Sequence, residues 1–90
     1  MEKILFKSEE QRSSQEVASV LRSFADKIEE GKVVLRKGEE ETELHIPSNL
    51  TIEIKVEEEI KGRTKKSLEI ELEWIEGGEE NENKQDTVVE

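Results

Sequence analysis

Cysteine is absent from this 90-residue chain, so it has no disulfide framework, no thiolate nucleophile and no cysteine-based zinc site. Tyrosine is absent as well, and the aromatic residues are one Trp and two Phe. No unbroken apolar run exceeds three residues, which excludes a membrane-spanning helix. No apolar stretch follows Met1, so no secretory signal is expected. Positive charge is in deficit: 14 Lys and Arg stand against 24 Asp and Glu, for a net charge of −10. That balance argues against a broad face for nucleic acid or anionic lipid. The expectation is a cytoplasmic protein with neither nucleic acid nor membrane as its partner.

Glu supplies 22 of the 24 acids, and Lys outnumbers Arg ten to four. This pattern resembles the thermophile bias more than a halophile surface, which is expected to be poor in Lys.

Periodicity then divides the chain. Residues 3–7 predict a short first strand, with Ile4 and Phe6 on one face. Ser13-Ser14-Gln15-Glu16 fits a capping box. After it, Val17, Val20, Leu21, Phe24 and Ile28 recur at helical spacing, and Gly31 suits a left-handed stop. A helix over 14–30 follows. Residues 32–37 and 41–46 predict two strands joined by a type II′ turn at Gly38-Glu39, with Leu35 opposite Thr42 and Val33 opposite Leu44. Pro47-Ser48-Asn49 ends the second of these. Residues 50–57 and 68–74 alternate strictly. Leu50, Ile52, Ile54, Val56, Leu68, Ile70, Leu72 and Trp74 take a dry face, and mostly Glu takes the wet one. Keeping the dry faces together requires paired numbers with an even sum. Sums of 126 or 128 fit, around an odd-length loop near Gly62-Arg63-Thr64.

The fold class is α+β, in the order β-α-β-β-β-β, with a single helix packed on one face of a mostly antiparallel five-stranded sheet. The last four strands form a meander, and the place of the first is open. From Gly77 the pattern stops. Residues 77–90 hold five acids and one Lys, with only Val88 and Val89 apolar, which predicts a disordered acidic tail after a 1–76 domain.

At Leu68-Glu69-Ile70-Glu71-Leu72-Glu73-Trp74 the sequence resembles the amphi-Trp domain family, small prokaryotic proteins named for an amphipathic terminal strand ending in Trp. Leu5-Phe6-Lys7-Ser8-Glu9-Glu10 and Phe24-Ala25-Asp26-Lys27-Ile28-Glu29-Glu30-Gly31 are similar to the family's opening and helix end. The resemblance covers residues 3–76. It implies the domain limits and brings no catalytic residue, cofactor or agreed function.

Candidate sites are few. His45 alone cannot hold a metal without several carboxylates, so the expectation is a solvent-facing histidine beside Glu43. A Ser–His–Asp set exists on paper, but nothing resembles a nucleophile elbow, and no enzyme is expected. Lys61, Arg63, Lys65 and Lys66 crowd one hairpin tip and suit a phosphate or an acidic partner; the plain alternative is a soluble turn whose charges offset Glu58 and Glu59. Glu53, Glu57, Glu69, Glu71 and Glu73 share one sheet face with Lys55 among them. That face suits a divalent cation or a basic ligand, or is simply a solvated surface. No cofactor is expected. The interaction candidates are therefore Lys61, Arg63, Lys65, Lys66, Glu69, Glu71 and Glu73. Trp74 shares the parity of the dry face, which predicts a core position.

Width adds one more expectation. A helix is about 10 Å across and strands lie about 4.8 Å apart, so one helix covers roughly two of five strands. Sheet coiling or a second copy of the chain has to cover the rest. The leading function is a non-enzymatic protein-interaction or assembly module that self-associates or docks a protein partner. The alternative is a carboxylate-rich face binding divalent cations or a basic ligand.

Overall fold

In a computed structural model, which describes residues 1–77 and 87–90, the chain is α+β with one helix and antiparallel strands. Helix α1 is Ser14–Glu30, followed by β1 (Lys32–Lys37), β2 (Glu40–His45), β3 (Thr51–Lys61) and β4 (Arg63–Glu73). It divides into two compact units, Met1–Ser48 and Asn49–Glu90.

In the first unit both helix ends form as their residues dictate. The Ser13 hydroxyl accepts from the Glu16 amide at 3.1 Å, and the Glu16 carboxylate accepts from the Ser13 amide at 3.3 Å. Two of the amides a helix start leaves unpaired are thereby satisfied. Gly31 stops the helix at φ +88°, and its amide donates to the Ile28 carbonyl at 3.0 Å. The Gly31 carbonyl then accepts from the Ile46 amide at 2.9 Å, tying the helix end to the residue after β2.

β1 and β2 pair antiparallel, with Val33 opposite Leu44 and Leu35 opposite Thr42. Gly38 alone of the two turn residues has positive φ, +60°, as a II′ turn requires. The helix packs on β1, and the core centres on Val33, which is 5% exposed. Phe24, Ile28, Leu35 and Leu44 are half-buried, while Val17, Val20 and Leu21 nearer the helix start are exposed.

The second unit is the hairpin of β3 and β4. Each strand runs eleven residues, and the register pairs Thr51 with Glu73 through Lys61 with Arg63. Paired numbers therefore sum to 124. The parity matches expectation, but the sum is lower than 126 or 128 and the turn closes at Gly62 (φ +70°). Charge explains the choice. This register sets Lys55 against Glu69, Glu58 against Lys66 and Glu59 against Lys65, leaving Glu53 and Glu71 as the only opposed acids and Lys61 and Arg63, beside the turn, as the only opposed bases. A sum of 126 would oppose Glu57 to Glu69 and Glu53 to Glu73; a sum of 128 would oppose Glu57 to Glu71 and Glu59 to Glu69. Like charges directly across a ladder are destabilising, so the favoured register also extends the hairpin to its tip.

Three expectations are corrected. Residues 3–7 are not a strand: among the described residues their one hydrogen bond is from Thr42 Oγ1 to the Leu5 carbonyl, 3.2 Å, and a strand needs a ladder of backbone partners. The order β-α-β-β-β-β thus becomes, among the described residues, one helix followed by four strands. The single five-stranded sheet is replaced by two two-stranded sheets, since the ladders join β1 to β2 and β3 to β4. The broad dry core is absent with it: only Val33 is buried among the described residues, and Trp74 is half-buried. The tail expected at 77–90 falls mostly on 78–86, which lie outside the described residues.

The helix stop yields a clean test. A Cβ at Gly31 would meet nothing closer than the Ile46 carbonyl oxygen at 3.8 Å, an ordinary contact. Gly31→Ala should therefore cost only the left-handed backbone penalty, about 1–2 kcal/mol, read as a lower urea midpoint at unchanged slope. An unchanged midpoint would mean that the cap is not held in the left-handed conformation.

Candidate functional site

All seven interaction candidates lie on the β3–β4 hairpin. Lys61 ends β3, and the other six are on β4. Side chains alternate across a strand, so the odd-numbered positions share one face. That face carries Glu53, Lys55, Glu57, Glu59 and Lys61 on β3, and Arg63, Lys65, Glu69, Glu71 and Glu73 on β4. Lys66 belongs to the other face, opposite Glu58, with its Nζ 3.8 Å from Glu58 Oε1. The four basic residues at the tip are thus divided between faces and do not form one cluster.

Charge on the hairpin is sorted by length. Near the open end stand Glu53, Glu57, Glu69, Glu71 and Glu73 around Lys55; near the turn stand Lys61, Arg63 and Lys65 beside Glu59. Lys55 holds the acidic end together. Its Nζ lies 3.0 Å from Glu57 Oε1 on its own strand and 3.1 Å from Glu69 Oε2 directly across the ladder. The hydrogen bond to Glu57, then that to Glu69, keep the ammonium well above the ordinary lysine pKa. A lysine whose pKa rises on folding favours the folded state at every pH below its unfolded value. That contribution is lost only as pH climbs through the folded value, so the bridge persists across the neutral range. At the tip, Lys61 Nζ is 3.5 Å from Glu59 Oε1. The tip therefore offsets part of its charge with Glu58 and Glu59, the plain alternative for this cluster.

Four charges on β4, and Glu53 on β3, have no such partner among the described residues. Among the described residues, Arg63, Lys65, Glu71 and Glu73 make no ion pair or side-chain hydrogen bond. Sequence reasoning grouped them by sign and missed that one strand carries both kinds. The signal was present as Arg63-x-Lys65 followed by Glu69-x-Glu71-x-Glu73 at constant parity.

The even-numbered face is apolar over most of its length. Ile52 lies opposite Leu72, Ile54 opposite Ile70 and Val56 opposite Leu68. Val56 is 72% exposed and Leu68 66%, and Ile52 and Ile70 are exposed as well. In the first unit, His45 is an open side chain with Nε2 3.6 Å from Glu43 Oε1, its neighbour on the same strand face. Among the described residues no three His, Asp or Glu side chains converge as a metal centre requires. Among the described residues no helix is long and apolar enough to cross a membrane.

Replacing Lys55 by Gln leaves Glu53, Glu57, Glu69 and Glu71 without a cation among them. Thermal melts followed by circular dichroism should show a lower Tm, with a larger drop at low than at high ionic strength because salt screens exposed charges. An equal drop at both would assign the effect to packing of the lysine stem and not to its charge.

Across its whole length, residues 1–90, the chain matches the family model of the Amphi-Trp domain. No curated protein and no solved structure matches it. The strand from Leu68 to Trp74, apolar on one face and acidic on the other, is part of β4 and the residue after it. This chain belongs to the Amphi-Trp domain family.

Proposed function

We propose that this chain is a small, acidic, cytoplasmic interaction or assembly module without enzymatic activity, and that it works by holding a second copy of itself. The observation that carries this reading is the exposed apolar face of the β3–β4 hairpin. A two-stranded ladder is marginal in water unless something covers its apolar side. Exposed Ile52, Val56, Leu68 and Ile70 form a contiguous patch of the kind that marks association surfaces. A two-fold pair needs only one self-complementary surface, so a second copy is the most economical cover. The net charge of −10 opposes association at low salt and directs the protein away from nucleic acid and anionic lipid.

One feature favours a second reading. Glu53 and Glu71 face one another across the ladder without an ion partner of their own among the described residues. A divalent cation or a basic ligand would relieve that repulsion. Calorimetric titration with Ca²⁺ and Mg²⁺ tests the cation form, which absent heat at millimolar metal removes.

Sedimentation equilibrium at moderate salt tests the first reading. The expected result is a concentration-dependent species at twice the chain mass. A single species at the monomer mass up to hundreds of micromolar refutes self-association.

A further inference from the structure

We infer that two copies of this chain join through the free edge of β4, antiparallel and in full register about a two-fold axis at Leu68. This inference rests on the self-association reading and names the surface and the register. Among the described residues the hydrogen-bond ladder of β4 runs to β3 alone, and its other edge carries a row of backbone donors and acceptors that none of them pairs. Eleven residues make that edge long enough to template another strand.

Charge decides which strand it accepts. The first half of β4 holds Arg63, Lys65 and Lys66, and the second half holds Glu69, Glu71 and Glu73. A parallel copy would set each charge beside its own kind. An antiparallel copy in full register sets Arg63 against the partner's Glu73 and Lys65 against the partner's Glu71. Two-fold symmetry makes each of these pairs twice. Among the described residues these are the four charges of β4 that make no ion pair, whereas Glu69 and Lys66 are already engaged by Lys55 and Glu58; on β3 only Glu53 is likewise without one. The even sum also matches parity with parity. Both apolar faces therefore continue on one side of a four-stranded sheet, with Leu68 meeting the partner's Leu68 on the axis. The edge of β3 fits this scheme less well. With Lys61 placed against the partner's Glu53 and Lys55 against the partner's Glu59, Glu57 would meet the partner's Glu57 on the axis.

The test is a charge exchange in the full chain, read by sedimentation. Lys65→Glu and Glu71→Lys should each weaken self-association roughly tenfold or more, because each turns two attractive cross-strand pairs repulsive. The double variant K65E/E71K should recover it. An equimolar mixture of the two single variants should form a mixed dimer at concentrations where neither associates alone, which also shows that both are folded. A second measurement uses the absence of native cysteine. Facing residues of an antiparallel pair sit about 4.5–5.5 Å apart at Cα, within disulfide range. Mild oxidation of Leu68→Cys should therefore yield a covalent dimer. If the wild type is a dimer whose dissociation constant ignores both single exchanges, and Leu68→Cys does not cross-link, the β4 edge is overturned while self-association stands. A wild type that stays monomeric overturns both.

Discussion

A two-stranded ladder cannot dry its own face, and that constraint governs the β3–β4 unit. Each strand lends the other only one neighbour. Val56 and Leu68 face one another and remain largely open to water. What keeps the hairpin in one register is therefore less its apolar side than its charged side. Lys55, placed between Glu57 and Glu69, supplies the single cation in an acidic stretch. Glu58 and Glu59 do the reverse for the basic tip. Sliding the register from a sum of 124 to 126 keeps every apolar side chain on its face yet opposes a second pair of acids. Electrostatics thus disfavours the sums of 126 and 128, which hydrophobicity leaves equivalent to the observed one.

The helical unit solves the same problem differently. There α1 packs on β1, and Val33 is dried. The helix is held at both ends by local chemistry, the reciprocal Ser13–Glu16 cap and the left-handed Gly31. Its apolar stripe is longer than the part that finds partners, since Val17, Val20 and Leu21 remain exposed. Marginal burial of this kind makes a small domain dependent on whatever it meets. The proposed self-association follows from that dependence.

Most local structure was legible in the sequence. The helix limits, the capping box, the turn at Gly38 and the β1–β2 register all follow from residues close together in the chain. So does the division of the last hairpin into an apolar and a charged face, because the period of two is strict from Ile52 to Val56 and from Leu68 to Trp74. The interaction candidates were legible as residues but not as an arrangement. Lys66 leaves the basic group because its parity differs, and Arg63 and Lys65 gain meaning only beside Glu71 and Glu73 on the same strand edge.

The α+β class was thus written in periodicity, caps and turn residues, whose interactions reach only a few positions along the chain. The number of strands and their assembly into sheets were decided by tertiary structure. A strand exists only when a partner accepts its backbone hydrogen bonds, and residues 3–7, though they carry Ile4, Leu5 and Phe6, have none in a ladder among the described residues. The register of the long hairpin was likewise settled in three dimensions, by which charges stand across from which. Alternation specifies a face, and it is silent on which neighbour that face or edge will meet.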